Sequence, residues 1–293
     1  MVLPHFEYIV AQSLDEASNL LKELGPTAKI MAGATDLIIP MKDKAIKPEP
    51  EYLIDIKNIP DLNQLEYSEE EGLKIGALTT LREIEFSNLV KEVYPAVAYA
   101  AKSIASTQIR AKGTMVGNIC NASPSCDSGP IVLATDATIL YHGQDGDRKM
   151  KASEFFKGVK KTALEPGDIV TGIVFPPLKK NQKAVYIKHS VRKAMDLAIV
   201  GVAVVITVEE NICTDASIAI GAVATTPIRA PKAEQFLIGK ELTPEIIDEA
   251  AQITMESCSP ISDIRASKEY RSAMVRVFTK RAIKKALEEM QEG

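Results

Sequence analysis

The chain is poor in the residues from which protein-bound metal centres are built. It has four cysteines and three histidines among 293 residues. No two cysteines form a C-x-x-C pair, the spacing of Cys120 and Cys126 matches no common zinc or iron–sulfur pattern, and the histidines lie far apart. We therefore expect no metal centre held by this chain alone. A cysteine–histidine nucleophilic pair stays open, although nothing local points to one.

Excess positive charge and long apolar runs are also missing. The net charge of −4 gives no overall basic field that would attract nucleic acid. The longest apolar run, LAIVGVAVVITV at 197–208, falls short of the roughly 20 residues of a membrane helix and is β-branched like a strand. No basic segment followed by an apolar one opens the sequence, so we expect no signal peptide and a reducing, cytoplasmic setting.

The length and composition favour several packed α/β units. A chain of 293 residues is too long for one ordinary core, and 46% hydrophobic with 25% charged residues is typical of a soluble globular protein. Changes of pattern along the chain predict three units. Their expected ranges are 1–60, 61–177 and 178–293.

The first unit should contain a small sheet with parallel neighbours, because strands alternate with a helix. A capping box predicts the start of that helix, with Ser13 as N-cap and Glu16 three residues later, and Gly25 ends it. Strands are expected at 6–11, 28–33 and 52–56.

The second and third units mix strands and helices. Thr80 with Glu83 predicts a second capped helix, and the alanine-rich segment 94–106 predicts another. Strands are expected at 131–142, at 168–177 and at 184–191. A long hairpin should then span 197–224, and helices should complete the chain.

The segment KIMAGATDLIIP at 29–40 is the first of two turns built from small residues. Small side chains let consecutive backbone amides face one point, which forms an anion-binding nest. The segment is not a P-loop, because no G-K-[ST] follows, and it lacks the G-x-G-x-x-G and the helix starting at Leu37 that a Rossmann site needs. An ordinary tight connection is the alternative.

The second turn lies in RAKGTMVGNICNASPSCDSGP at 110–130 and is centred on 113–118. It offers amides and hydroxyls with little steric cover, and Asp127 follows where it could accept from a ribose hydroxyl. A close-packed loop is again the alternative. Together the two turns favour a ligand with two phosphates. Ser123 has no G-x-S-x-G frame, and Arg192 with Asp196 is interpreted as a structural ion pair rather than a catalytic one.

Four motifs in order resemble the FAD-binding subunit (medium chain) of molybdenum hydroxylases, the relatives of xanthine, carbon monoxide and nicotinate dehydrogenases. KIMAGATDL resembles the family's A-G-G-T-D-L, and IRAKGTMVGNICNASPSCD resembles its I-R-N-x-G-T-I-G-G-N-I-x-x-A-S-P-x-x-D. KHSVRKAMDLAIV resembles K-x-x-x-R-x-x-x-D-x-A-x-V, and TTPIRAPKAEQFLIGK resembles T-P-x-R-A-x-x-A-E-x-x-L-x-G. The resemblance covers nearly the whole chain.

The resemblance implies an α+β fold of the vanillyl-alcohol-oxidase type. Two α/β subdomains would hold extended FAD, and a C-terminal domain would add a small antiparallel sheet and helices. The residues that would wrap the pyrophosphate and adjoining ribitol or ribose are Lys29, Ile30, Met31, Ala32, Gly33, Ala34, Thr35 and Asp36. Those of the second, flavin-side loop are Ala105, Thr114, Met115, Val116, Gly117 and Asn118.

The same resemblance implies roles for four further residues. Asp127 would meet the adenosine ribose or adenine side, and Val170 or Thr171 would pack near the adenine. Lys188 would approach the isoalloxazine end, where a cation stabilises negative charge on the reduced ring. Cys120 and Cys126 would be packing residues, and neither a catalytic nor a metal-binding side chain is expected.

The chain departs from the family pattern in both loops. The first loop has Gly33-Ala34 where the family often has Gly-Gly, which should change little. The second has Val116 where the family usually has glycine, and a branched side chain resists positive φ. This predicts an altered phosphate contact at Val116.

The resemblance implies an oxidoreductase subunit that transfers electrons. [2Fe–2S] clusters on a small partner subunit would reduce FAD here, molybdopterin on a large partner would carry the hydroxylation, and an acceptor such as NAD would take the electrons. A non-catalytic scaffold with a degraded flavin site is the alternative. A stand-alone flavin oxidase is a third possibility, for which the chain is short. The substrate, the acceptor and the copy number of the assembly stay open.

Overall fold

Parallel strand pairing in the first unit follows from the strand–helix–strand order of its sequence. The computed structural model describes residues 3–192 and 194–291, so the outermost residues of the expected first and third units, and Lys193, lie outside it. The central strand of the first sheet pairs in parallel with both neighbours, in the order β1-β3-β2. The elements are β1 (Glu7–Val10), α1 (Leu14–Glu23), β2 (Ala28–Met31), α2 (Ile38–Lys42) and β3 (Tyr52–Asp55).

Local chemistry places the ends of α1 where the sequence predicts them. The Ser13 side chain accepts from the Glu16 amide at 3.1 Å, and Gly25 takes a left-handed φ of 63° after the last turn. The Glu16 carboxylate accepts from the Gln12 amide at 2.7 Å, so the return bond of the capping box reaches one residue further back. The cap at Thr80 is the complete reciprocal box.

The second unit is built on a five-stranded antiparallel sheet in the order β4-β5-β10-β6-β7. Its strands are β4 (Leu65–Ser68), β5 (Gly72–Gly76), β6 (Thr138–Gly143), β7 (Gly146–Lys151) and β10 (Ile169–Phe175). Its helices are α3 (Leu81–Phe86), α4 (Asn88–Val93), α5 (Pro95–Ser103), α6 (Thr107–Arg110), α7 (Met115–Asn121), α8 (Gly129–Ala134) and α9 (Ala152–Phe155). A two-stranded ribbon, β8 (Phe156–Gly158) and β9 (Lys161–Thr162), completes it.

The expected strand at 131–142 is wrong over its first half. The chain there forms α8, and a left-handed residue, Asp136, separates α8 from β6. Pro130 lies in the first turn of the helix and favours it. Backbone N–H groups of a first turn have no intrahelical acceptor, so the N–H that proline lacks removes no hydrogen bond. The helix is buried on all sides, so its run of apolar residues shows no helical period.

The third unit is the expected antiparallel sheet with helices. The sheet order is β11-β12-β13-β14, and the long hairpin is β12–β13. Its elements are β11 (Gln182–His189), β12 (Val200–Glu209), β13 (Ile212–Gly221), β14 (Ile228–Arg229), α10 (Pro231–Leu237), α11 (Pro244–Glu256) and α12 (Lys268–Gln291). One hydrophobic core joins this sheet to the second unit, through Ala184, Tyr186 and Ala203. Within the described part of the chain, no helix is both long and apolar enough to cross a membrane.

A buried ion pair ties α10 to the third sheet. Glu234, which is 7% exposed, accepts from the Ile218 amide at 2.9 Å and from the Arg229 guanidinium at 2.6 Å. Both charged residues belong to the fourth sequence motif, TTPIRAPKAEQFLIGK. That motif therefore holds the third unit together.

Replacing Glu234 with alanine should destabilise the fold. Glu234→Ala leaves the Ile218 amide and the Arg229 guanidinium without their shared acceptor, so we expect the free energy of unfolding to fall by about 2–4 kcal/mol. Urea unfolding measures the loss. The control is Glu249→Ala on the exposed face of α11, which should change little. Equal effects of the two changes would contradict the role given to Glu234.

Candidate functional site

The first small-residue turn connects β2 to a short helix. Ala34 takes a left-handed φ of 57°, and its carbonyl accepts from the Leu37 and Ile38 amides at 3.1 and 3.0 Å. The helix α2 therefore begins at Ile38, although the sequence predicts no helix there. Glycine adopts the left-handed backbone freely, which accounts for the Gly-Gly that the related motif often has at this point.

The second turn is the start of a helix. The Thr114 side chain accepts from the Gly117 amide at 2.9 Å and caps α7. Val116 is the second helical residue, 4% exposed, and is absent from the residues with positive φ. A branched side chain costs little in this conformation, so Val116 has no positive φ to resist, and the altered phosphate contact stays a prediction. The first amides of α7 are free of intrahelical acceptors, as in any helix.

The two segments touch through backbone atoms. A Cβ on Gly33 would lie 2.0 Å from the Lys112 carbonyl oxygen, and a Cβ on Gly113 would lie 3.1 Å from the Thr35 hydroxyl. The Asn121 side chain adds a 3.0 Å hydrogen bond to the Asp36 carboxylate. Only a residue without a side chain fits at position 33. The small residues thus bring the two segments together.

A cavity of about 900 Å³ opens along this contact. Its wall contains most of the residues to which the sequence assigns a cofactor role. From the first segment these are Lys29, Ile30, Ala32, Gly33, Ala34, Thr35 and Asp36, and from elsewhere Ala105, Thr114, Val116, Gly117, Asn118, Asp127 and Val170. The structure therefore gathers residues of the first and second units around one space.

Four of the expected residues do not line the cavity. Met31 lies in β2, and Met115 is fully buried in the core of the second unit. Thr171 sits at the bulge of β10, where its carbonyl accepts from the Ala77 amide at 2.9 Å. Lys188 lies behind Asp127. Direct contact of these four residues with a ligand stays a prediction, because none of them is part of the cavity wall.

Other wall residues come from parts of the chain to which the sequence gave no role. Leu21 on α1, Lys160 between β8 and β9, and Asp168 before β10 carry no local motif that could identify them. Met195 and Asp196 lie in the third motif, KHSVRKAMDLAIV, so the motif itself was the available signal. Arg192 pairs with Asp196 at 3.8 Å, which confirms the expected ion pair.

Asp127 and Lys188 form a buried ion pair beside the cavity. The Lys188 ammonium donates to Asp127 Oδ2 at 2.8 Å and to the Ser103 carbonyl at 2.9 Å, and both side chains are less than a tenth exposed. Burial raises the pKa of Asp127 to about 6, against the opposing effect of the Lys188 charge. Asp127 Oδ1 is buried without a hydrogen-bond partner within the described chain. Tyr186, whose buried hydroxyl also lacks a partner within the described chain, lies near enough to Asp127 to lower its pKa as a donor. Asp127 can therefore take a donor from Tyr186 or from a ligand.

Lys29 provides a positive charge at the same cavity. The residue is half-buried in the wall, burial lowers the pKa of its ammonium group, and it makes no ion pair with any described residue. A desolvated cation that lacks a protein counter-charge favours binding of an anion.

The two cysteines of the second segment line the cavity and are held as neutral thiols. Burial raises the pKa of Cys120 to about 12 and that of Cys126 well above its usual range. Cys126 packs against Asn118, whose side-chain oxygen also accepts from the Ser128 amide at 3.2 Å. In the described ranges no group of three or more His, Cys, Asp or Glu side chains is arranged to hold a metal ion.

Removing the cation of the buried pair should give a pH-dependent loss of stability. Lys188→Met leaves the Asp127 carboxylate buried without a counter-charge, so we expect the free energy of unfolding to fall by about 3–5 kcal/mol at pH 8. Its pKa then rises further above the unfolded value, so stability is lost as pH rises and recovered towards pH 5, where the carboxyl is protonated. Urea unfolding at both pH values measures this.

Lys183→Met on the same strand is the matched control, since Lys183 makes no ion pair with a described residue. It should change stability little at either pH. A Lys188→Met loss that stays the same at pH 5 and pH 8 would contradict the buried-carboxylate argument.

The comparisons with known proteins agree over nearly the whole chain. Two family models match: the FAD binding domain in molybdopterin dehydrogenase over residues 4–178 and the CO dehydrogenase flavoprotein C-terminal domain over residues 185–286. The glyceraldehyde dehydrogenase medium chain of Sulfolobus acidocaldarius is 36% identical, over 97% of this chain and 99% of the relative. The xanthine dehydrogenase FAD-binding subunit of Escherichia coli O157:H7 is 32% identical, over 96% and 95%.

Solved structures are similar as well. A chain of carbon monoxide dehydrogenase from Hydrogenophaga pseudoflava, which lacks the Mo-pyranopterin moiety of the molybdenum cofactor, matches with a TM-score of 0.93 at 34% identity, covering 98% of this chain and 99% of that one. Quinoline 2-oxidoreductase from Pseudomonas putida 86 matches with a TM-score of 0.91 at 27% identity, covering 99% of both. The expected fold is confirmed, and the chain belongs to the FAD-binding medium subunits of the molybdenum hydroxylase family.

Proposed function

We propose that this chain is the electron-transfer subunit of a molybdenum hydroxylase complex. It takes electrons from [2Fe–2S] clusters on a small partner subunit and passes them through FAD to an external acceptor such as NAD. The observation that carries the proposal is the cavity of about 900 Å³ whose wall brings the two small-residue segments together. Membership of the family makes the complex an oxidoreductase.

The residues of the cavity fit FAD. The cofactor carries an anionic pyrophosphate and several hydroxyl groups. Lys29 supplies a half-buried positive charge that makes no ion pair with a described residue, and the Asp127 carboxylate in the wall supplies an acceptor for a hydroxyl or N–H donor. Gly33 and Gly117 add backbone without a side chain to the same wall.

FAD supplies the redox chemistry when it is bound, because it accepts and releases electrons that no side chain can carry. This chain's share is to bind and orient it. Asp127, a residue of the cavity wall, is held in place by Lys188 through its Oδ2. With a pKa near 6, its carboxyl group is ionised at neutral pH. No nucleophile or general base is required of this chain.

The partners in the proposal are a large subunit with molybdopterin and the small iron–sulfur subunit. Several relatives are themselves named medium chains or FAD-binding subunits, among them those of carbon monoxide, xanthine and nicotinate dehydrogenases. These relatives belong to differently named dehydrogenases but resemble this chain to a similar degree. This supports the proposal that another subunit determines the substrate. We also infer a cytoplasmic location, supported by four cysteines that are all free thiols.

The scaffold alternative loses the observation that motivated it. It rested on Val116, which was expected to distort the second segment. Val116 instead continues a regular helix, and its side chain packs into the core of the second unit. The cavity with Lys29 and Asp127 in its wall supports cofactor binding instead.

The proposal predicts a yellow protein. The purified chain should show flavin absorption and release about one FAD per chain on heating, because the two small-residue segments line one shared cavity. Absorption spectroscopy and chromatography of the released cofactor measure this. Bleaching of the flavin band by NADH would then support NAD as the acceptor. A colourless chain that cannot be reconstituted with FAD would overturn the proposal and favour the scaffold.

Gly33→Ala should abolish FAD binding. The new Cβ would lie 2.0 Å from the Lys112 carbonyl oxygen, so the two segments must move apart. We expect FAD content to fall by about tenfold or more, measured per chain after purification with excess FAD. Gly158→Ala is the control, because its new Cβ would meet nothing closer than 3.9 Å. Circular dichroism should show a folded chain for both. Retention of FAD by Gly33→Ala would contradict the contact's role.

A further inference from the structure

A histidine joins the first unit to the second at the side of the cavity. His142 lies on β6, with its side chain 10% exposed. Its Nδ1 lies 2.7 Å from Asp147 Oδ1 on the neighbouring strand β7, and its Nε2 lies 2.9 Å from Asp15 Oδ1 on α1. The imidazole ring therefore bridges two carboxylates from two units of the fold.

This geometry requires a protonated ring. A neutral imidazole has one N–H and one bare nitrogen, whereas an ionised carboxylate can only accept. Two nitrogens at hydrogen-bond distance from two carboxylates are satisfied together only when both carry hydrogen. Hydrogen bonds to Asp147 and Asp15 raise the pKa of His142 above its ordinary 6.5, against the opposing effect of burial. The bridge is complete below that ordinary pKa and is lost as pH rises through the raised one.

The other charged groups around His142 leave this assignment intact. Arg148 pairs with Asp168 at 2.6 Å, and Lys22 donates to the Gln144 side chain at 3.2 Å. The charged groups that contact the ring or lie beside the neighbouring Gly143 are Asp15 on α1, Asp147 and Arg148 on β7, and Asp168 before β10. The two groups that contact the ring are both acidic.

The bridge joins two walls of the cavity. On one side, α1 carries Asp15 and, two turns later, the wall residue Leu21. On the other side, His142 pairs in register with Ile169 of β10, and Ile169 and Val170 also line the cavity. A change in the contact between Asp15 and His142 therefore acts on both walls.

We propose that His142 is a pH-sensitive clamp, holding α1 against the β6–β10 side of the cavity as an imidazolium and releasing it on deprotonation. The clamp rests on the proposed FAD binding at this cavity, and FAD is retained more tightly with the clamp closed. Deprotonation leaves one carboxylate without a donor, so the contact between the walls weakens. The carboxylates of Asp15 and Asp147 are 83% and 86% exposed, so salt should weaken the closed clamp as well.

The rate of FAD release tests the clamp. The FAD-loaded chain is diluted into buffers from about pH 6 to pH 9 at constant ionic strength, and the rise in free-flavin fluorescence gives the rate. We expect the rate to increase about three- to tenfold over this range, which is the effect of losing one charged hydrogen bond. The His142→Gln variant should release FAD at a rate that does not follow the titration of His142. The Asp15→Asn variant should show a weaker dependence of the release rate on pH.

Asp145→Asn is the matched control, because it removes one exposed charge from the same hairpin without touching the ring. Its profile should follow the unmodified chain. A flat profile for the unmodified chain, or a profile unchanged by both His142→Gln and Asp15→Asn, would overturn the clamp. FAD bound at pH 6 in every variant would still support the cofactor site, so the two proposals fail separately.

Proton NMR tests the protonation directly. The chain has three histidines, so His142→Gln identifies the His142 ring signal among three. That signal should titrate above 6.5 in the unmodified chain and move down in Asp15→Asn. A His142 signal that titrates at or below 6.5 in the unmodified chain would contradict the clamp.

Discussion

The contact between Gly33 and the Lys112 carbonyl is the constraint on which the cavity depends. It joins the loop after β2 to the loop before α7, with no room for a side chain between them. Because two backbones meet there, both loops must be made of small residues over several positions. The low aromatic and high small-residue content of these segments, unsuited to forming a core, is therefore suited to forming a binding wall.

Backbone conformation shows where the fold accepts strain. Four non-glycine residues of the cavity wall have positive φ: Ala34, Ala105, Lys160 and Met195. Each costs about 1 kcal/mol or more relative to ordinary backbone. They come from four separate connections, and seven other described non-glycine residues with positive φ lie away from this wall, so part of the backbone strain falls at the cavity.

Patterns formed by residues close together in sequence predicted helix caps and strand pairing well. The sequence did not predict the helices α7 and α8. The caps at Ser13 and Thr80, and the parallel first sheet, follow from residues a few positions apart. The helix α8 was missed because burial on all sides removes its period. The start of α7 was missed because Gly117 and Asn118 are poor helix formers, and the Thr114 cap compensates for them.

The binding wall was predictable where a motif carried it and hidden where single residues did. Leu21, Lys160 and Asp168 reach the cavity from elements far apart in sequence, so only the tertiary fold identifies them. Lys188 is the opposite case. It belongs to a clear motif, but in the fold it hydrogen-bonds to Asp127 and is not itself part of the cavity wall. Motif position thus identified the neighbourhood of the cavity, and packing decided which side chains face it.

The charges of the wall link cofactor binding to stability. Burial disfavours the ionised forms of both Lys29 and Asp127, so each charge is costly to the chain without a ligand. An anionic phosphate beside Lys29 and a hydrogen-bond donor beside Asp127 offset that cost only in the folded, bound state. FAD should therefore stabilise this fold by mass action, since the unfolded chain has no cavity to bind it. The same residues that recognise the cofactor thereby make the folded state depend on it.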